Sequence, residues 1–456
     1  MPEQKRQTKE DDREQKLPVV IGRSPADVKK FGTKGALLIG KQYVERLDRL
    51  FLEDDVYMDV AGAHVMMICG KRGGGKSYTM GVIAEGLSLL DDVVKQNLSI
   101  ILLDTMGIYW TMGHANQKEK DLLEPYGIKP HPVDLKIFTP EKFYYEYKKK
   151  GIRTDVPFSL EPHMITGEDW CVAFKQDKYS ANGLYIQKIV EQLSENKEKK
   201  GKFFMKDILG YIDSDKETDR LVVSAVRNMF QTAQGWGVFS EKGTPIEDLA
   251  KGGQITVLDV SCYATMPGGW DVKALVVGIV SRHLFITRMA YRKEEELSDI
   301  KYLEQYFEEK SAEEAQKQDM PLVWLVIDEA HEFLPKDEAD ANAATEPLKI
   351  IMREGRQPGI CLIVATQQPG KIHTDVMTQS DTVLSHRITA RLDVQALGLL
   401  AQSYMEHGIE RAMNDLPPLK GTAVVFDDLN EKIMMIRVRP RFTWHGGASP
   451  TAMKGD

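Results

Sequence analysis

The chain has 456 residues, 42% of them hydrophobic, which is long enough for one large α/β domain with insertions or for two domains. Its formal net charge of −8 excludes a protein coated all over in positive charge for nucleic acid, while basic residues confined to a central channel stay compatible with an acidic exterior. The four cysteines, Cys69, Cys171, Cys262 and Cys361, form no CxxC pair and no metal-ligand spacing, so they read as core thiols, and neither a disulfide framework nor a zinc site is expected.

In chain order, residues 1–17 are almost wholly polar and charged, and they read as a disordered N-terminal arm. They lack the apolar core of a secretory leader, and no later run is long and apolar enough for a membrane span, which predicts a cytoplasmic chain. Three short apolar runs, LPVVIG, GALLIG and DDVYMDV, predict a short β element over 18–60. HVMMIC at 64–69 then passes directly into GKRGGGKS, and residues 78–90 follow with helical spacing and one apolar face. That is strand, glycine loop, helix.

Further buried parallel strands are expected in SIILLD ending at Asp104, QITVLDV at 254–260, LVWLVID ending at Asp328 and ICLIVAT at 360–366. DTVLSHRIT follows, then two β-like runs, GTAVVFDD and KIMMIRVR. The alternation with helical sequence predicts an α/β, doubly wound, mostly parallel sheet whose core comprises 61–139 and 251–440. Lys-rich and Glu-rich sequence over 140–250 reads as a helical insertion or subdomain, the charged run 292–318 as a projecting helix, and 441–456 as a C-terminal arm.

Gly70, Lys71, Arg72, Gly73, Gly74, Gly75, Lys76 and Ser77 fit G-x-x-x-x-G-K-[ST] at every specified position. The glycines allow backbone N–H groups to turn inward around phosphate oxygens, Lys76 brings a positive charge to the β and γ phosphates, and Ser77 offers a hydroxyl to Mg²⁺. ATP with Mg²⁺ is therefore the expected ligand, and Tyr78, next in sequence, is included among the nucleotide-binding positions. LVWLVIDE places Asp328 and Glu329 at a strand end, where the first carboxylate would hold Mg²⁺ and the second would orient or deprotonate the attacking water. Gln367 and Gln368 stand just past ICLIVAT, where an amide reaches both water and γ-phosphate. IIMREGR at 350–356 contains Arg353 and Arg356, which read either as helix-surface ion-pairing residues or as a cation for a neighbouring subunit's γ-phosphate.

Together HVMMICGKRGGGKSYTM, ILLDTMGIY, QITVLDVS, LVIDEAHEFLP, REGRQPGICLIVATQQP, SHRIT and RVRPRFTWHGG resemble the HerA and FtsK branch of P-loop ATPases, and within it the HerA-type proteins, across most of residues 36–447. The resemblance implies a RecA/FtsK-like P-loop core and a homo-oligomer, a hexameric ring that pumps double-stranded DNA with ATP, often beside the nuclease NurA. It implies Lys76 and Ser77 as the nucleotide-binding pair, Asp328 and Glu329 as the Mg²⁺ and hydrolytic acids, Gln367 as the sensor and Asp104 as an acidic position near the site. It also implies Arg353 or Arg356 as the trans-acting finger, with Arg387 and Arg391 as weaker candidates, and an arm, RPRFTWHGG, that reaches the nucleotide site. Against such relatives, 18–60 reads as a reduced form of the family's N-terminal barrel. Lys148, Lys149, Lys150, Arg153 and residues 197–202 are candidates for DNA-contacting loops, although such runs are more commonly solvated helix faces. The alternative reading is a motor or scaffold for protein transport or conjugation-type machinery that does not itself pump DNA.

Overall fold

Apolar runs buried on both faces have one stable arrangement, parallel strands covered by helices above and below, and the centre of this molecule is built that way. The computed structural model describes residues 17–47, 49–196, 201–307, 320–398 and 406–447. The expected arm, apart from Leu17, lies outside the described residues, as do the ends of the expected projecting helix and C-terminal arm.

The strands are β1 (Val19–Ile21), β2 (Ala36–Arg46), β3 (Arg49–Asp59), β4 (Val65–Cys69), β5 (Leu98–Asp104), β6 (Leu135–Pro140), β7 (Val156–Phe158), β8 (Ile255–Asp259), β9 (Leu322–Ile327), β10 (Ile360–Thr366), β11 (Thr382–His386), β12 (Thr422–Asp427) and β13 (Lys432–Val438). They form one sheet in the order β1-β3-β2-β13-β12-β11-β4-β10-β9-β5-β8-β6-β7. From β11 to β7 every pairing is parallel. Alternate side chains separate the two cores. Met67, Cys69, Ile101, Leu103, Leu325 and Val364 face one way, and Met66, Ile68, Ile100, Leu102, Val326 and Ile363 the other.

The 18–60 segment is not a barrel. β2 pairs β3 on one side and β13 on the other, so this segment prolongs the sheet as an open edge. The sequence reading also omits two strands. β6 and β7 lie at the far edge, and β7 falls inside the segment expected to be helical. The remainder of 140–250 is mainly helical, with Gly167–Ala173, Ala181–Ser194, Met205–Ser214 and Arg220–Gln234 packed around Trp170, Phe230 and Trp236. Its apolar core is continuous with the sheet core, and Arg282 of the 39-residue helix Gly269–Phe307 pairs with Asp169.

That long helix explains the charged run. Its first half, including Leu275, Val276, Ile279 and Val280, is buried against the sheet, while Leu297 and Ile300 near its other end are exposed. Among the described residues, 269–300 is the one segment long and apolar enough to cross a membrane, but more than half of its apolar window is buried inside the protein. The helix after the glycine loop, Lys76–Gly86, differs from its expected one-faced pattern. Nine of its eleven residues are buried, because strands cover one side and the C-terminal segment the other.

At the N-terminal edge of the parallel strands, the imidazole of His64 bridges two carboxylates. Nδ1 lies 3.0 Å from Asp381 Oδ2 and Nε2 lies 3.1 Å from Asp59 Oδ2. Burial alone would lower its pKa, but the hydrogen bonds and charges of Asp381 and Asp59 outweigh burial and raise it to about 9. A raised folded-state pKa contributes stability that is complete below the unfolded value, near 6.5, and is lost as pH rises through the folded value. The unfolding free energy of the wild type is therefore expected to fall by on the order of 3 kcal/mol between pH 6 and pH 10. His64→Gln should start lower at pH 6 and lose this dependence, as measured by denaturant titration across that range.

Candidate nucleotide site

Parallel strands present all their C-terminal ends at one edge, and there the sheet gathers the chemistry-bearing residues. Thr366 of β10 is in register with Cys69 of β4, and Leu103 of β5 with Ile327 of β9. The loop from Gly70 to Ser77 leaves β4 at this edge, and Asp328 and Glu329 leave β9 two strands away.

The glycine loop rests on a residue that carried no weight in the motif. His386, the last residue of β11, is buried under it, with Nδ1 donating to the Thr422 carbonyl at 3.0 Å and Nε2 accepting from Thr79 Oγ1 at 2.8 Å. Burial holds its pKa down to about 4, so the ring is neutral and suits this donor and acceptor pattern. A Cβ on Gly70 would lie 2.7 Å from that of His386, and Gly75 stands at φ 112° with the same ring 3.3 Å from where its Cβ would be. The neighbouring Arg387 accepts from Lys71 N through its carbonyl at 3.3 Å. Lys76 is buried and its Nζ donates to the Gly70 carbonyl at 3.2 Å, closing over the loop.

Ser77 Oγ donates to Asp328 Oδ2 at 2.6 Å, which ties the glycine loop directly to the end of β9. Asp328 Oδ1 accepts from Glu329 N at 2.9 Å, and Glu329 takes the left-handed conformation, φ 50°, rare for a residue with a side chain. Glu329 Oε2 is buried with no hydrogen-bond partner. Burial first and Asp328 second push the Glu329 carboxyl up to about 7, against the opposing pull of Lys76 and a hydrogen bond with Gln367.

Asp104 is engaged by backbone donors in this geometry, and Arg353 and Arg356 stand away from the glycine loop of their own chain. Asp104 Oδ1 accepts from Met106 N, Gly107 N and Ile108 N at 3.2, 2.7 and 3.2 Å, and Oδ2 accepts from Tyr109 N at 2.9 Å. Its carboxylate anchors a loop. That loop delivers Tyr109, buried beside Ser77 and Asp328, which the sequence reading missed because an uncharged tyrosine in an apolar stretch gives no signal. Arg353 and Arg356 precede β10, so roughly 20 Å of strand separates them from the phosphate-loop edge of their own chain. Arg353 is exposed and paired with Asp375 at 2.5 Å. Arg387, not REGR, is the arginine brought next to the glycine loop, and Arg391 is exposed just beyond it.

The C-terminal segment crosses the outer face of the loop helix and is bolted there through a buried charge. Glu85 Oε1 accepts from Arg439 Nη1 at 2.5 Å and Phe442 N at 3.1 Å, and Oε2 accepts from Thr443 N and Oγ1 at 3.1 and 2.6 Å. The Tyr78 hydroxyl donates to Glu119 at 2.6 Å and accepts from Arg441 N at 2.7 Å, so its side chain belongs to this network. The segment also closes a cavity of about 390 Å³ lined by Gly107, Trp110, Thr111, His114, Trp444 and Gly446.

A family model described as the central domain of the helicase HerA matches residues 53–284. This chain belongs to that family. Similar curated proteins are the probable DNA double-strand break repair helicase HerA of Methanocaldococcus jannaschii, 23% identical over 362 residues covering 75% of this chain and 64% of that protein, and the DNA double-strand break repair helicase HerA of Pyrococcus furiosus, 29% identical over 195 residues covering 41% and 33%. The chain thus spans less than two thirds of the length of the HerA relatives it matches. Among solved structures it is similar to VirB4 of Thermoanaerobacter pseudethanolicus, at a TM-score of 0.49 and 11% identity over 89% of this chain and 97% of that one. The bacterial conjugative coupling protein TrwB gives 0.46 and 13% over 94% and 98%.

Within this HerA-family chain, two changes probe the site's supports. Glu85→Ala would strand Arg439 and Arg441 as buried uncompensated charges, and a loss of about 3–5 kcal/mol is expected in denaturant unfolding. Gly70→Ala would push His386 away from the loop, and binding of a fluorescent ATP analogue should weaken at least about tenfold while circular dichroism stays unchanged.

Proposed function

We propose that this HerA-family chain hydrolyses ATP to translocate double-stranded DNA, working as a ring of copies, most simply a hexamer. The observation that carries the reading is the contact of Ser77 Oγ with Asp328 Oδ2 at 2.6 Å, with the unpartnered Glu329 Oε2 one residue further on. A hydroxyl and a buried carboxylate in contact are hard oxygen donors of the kind Mg²⁺ takes, so Ser77 and Asp328 fit that ion, which when bound neutralises phosphate charge. The backbone of Gly70–Ser77 and the Lys76 ammonium would hold the phosphates. Glu329, with its carboxyl near neutrality, would take the proton of the attacking water, and the Gln367 amide would orient that water.

The DNA step is supported by the HerA relatives, both described as double-strand break repair helicases. In a ring, Arg356, exposed and without a side-chain partner among the described residues, is free to act on a neighbouring copy's γ-phosphate. Of the basic candidates for DNA, Lys148, Lys149 and Lys150 are exposed. Arg153 instead reaches the Leu135 carbonyl, Lys202 pairs with Glu161, and residues 197–200 lie outside the described residues.

The test is ATP turnover by the purified chain with and without linear double-stranded DNA at low and moderate salt, with Lys76→Ala and Glu329→Gln as blanks. Expected are DNA stimulation that weakens steeply with salt and at least about a hundredfold loss in both variants. Turnover that ignores DNA but still needs Glu329 would replace the DNA step by a protein-directed motor or scaffold. Turnover that survives Glu329→Gln would remove the catalytic assignment itself.

A further inference from the structure

One polar side chain beside Glu329 has no role in the hydrolysis described above. His331 sits in the short turn Ala330–Glu332 that follows the left-handed Glu329, and its ring is almost enclosed. Nδ1 lies 3.2 Å from Thr366 Oγ1, the last residue of β10, and 3.6 Å from Glu329 Oε2. On the other side of the ring, Nε2 lies 3.5 Å from the Gln368 amide. One imidazole therefore spans the gap between the loop after β9, which carries Glu329, and the loop after β10, which carries Gln367.

The hydrogen bonding fixes what the ring can do. Thr366 Oγ1 already accepts from Gln368 N at 3.0 Å, so its single proton is available for His331 Nδ1. Nε2–H then faces the Gln368 amide, whose oxygen turned toward the ring completes the bridge. Burial, with Lys371 and Lys76 nearby, keeps His331 below its ordinary pKa and so in the neutral form this pattern needs. A neutral ring in van der Waals reach of Glu329 Oε2 also limits where that carboxylate can swing, since Oε2 has no hydrogen-bond partner to hold it.

We propose that His331 is a positioning residue that fixes the β9 loop against the β10 loop, so that Glu329 and Gln367 address the same water. The role rests on the assignment of Glu329 and Gln367 above. The effect of His331 should appear in the chemical step and not in nucleotide binding, because the phosphate loop and Ser77 are held by Asp328 and His386 independently of it.

The experiment is steady-state ATP hydrolysis and nucleotide affinity for His331→Ala, His331→Asn, Thr366→Val and the double variant His331→Ala with Thr366→Val, alongside wild type and Glu329→Gln. Misalignment of a catalytic pair by a fraction of an ångström to one ångström costs about 10- to 100-fold. His331→Ala should lower kcat by about that factor, with KM and ATP-analogue affinity within about twofold of wild type. His331→Asn, whose amide places a polar atom near the Nδ1 position, should recover most of the loss. The double variant should lose no more than His331→Ala alone, because both changes break one bridge. Unchanged kcat in His331→Ala, a rise confined to KM, no recovery with Asn, or losses that multiply in the double variant would each overturn the proposal. Glu329→Gln keeps the two readings apart: full activity there would bring down the site assignment, whereas an inactive Glu329→Gln beside a fully active His331→Ala would bring down only the bridge.

Discussion

Eight parallel strands in fixed register impose the geometry on which everything else in this chain depends. In a parallel sheet each strand must return to the same starting edge, so every C-terminal end emerges at the opposite edge. Gly70, Asp104, Asp259, Asp328 and Gln367, scattered over nearly three hundred positions of sequence, meet there because β4, β5, β8, β9 and β10 end there. Burial on both faces makes that register hard to slip, since a shift by one residue would exchange the sets led by Met66 and Met67 between the two cores.

The edge so formed concentrates negative charge, and the structure handles each carboxylate differently. Asp104 is satisfied by four backbone donors and Asp259 by the backbone and hydroxyl of Ser261. Lys273, buried on the long helix, donates to the Thr105 carbonyl close to both. Asp328 is occupied by Ser77 and by Glu329 N. Glu329 alone retains a buried oxygen without a donor. An unsatisfied buried carboxyl oxygen is costly wherever it occurs, and its position beside the glycine loop supports the proposed catalytic role of Glu329.

The supports lie outside the motifs. His386 fills the space under Gly70 and Gly75 and passes the loop's position to β12 through Thr422. Glu85, wholly buried in the loop helix, gathers Arg439, Phe442 and Thr443 and so fixes the chain's last described segment across the helix. A buried charge cluster of this kind adds little net stability compared with apolar packing, but it admits one arrangement of its partners. The position of the C-terminal segment, and with it the aromatic cavity between Trp110 and Trp444, follows from that arrangement.

What the amino-acid sequence by itself determined is local: a glycine loop needs its glycines and its Lys-Ser pair in consecutive order, and buried strands show as unbroken apolar runs. The P-loop, the Asp328–Glu329 pair and most of the parallel strands could be read for that reason. β7 escaped because it is a three-residue edge strand inside a segment read as helical, and β6 because its LKIFTP run carries a lysine and ends in proline, while the pairing of the 18–60 strands with β13 could not be read because strand partners are chosen across the whole chain. Which residues surround the loop was decided only by tertiary structure. His386 lies 307 positions from the Thr79 it supports, Glu85 lies 354 from Arg439, and Arg353 and Arg356, close to Gln367 in sequence, are held a strand's length away from it. Sequence adjacency says nothing about which end of a strand a residue occupies, whereas register fixes it.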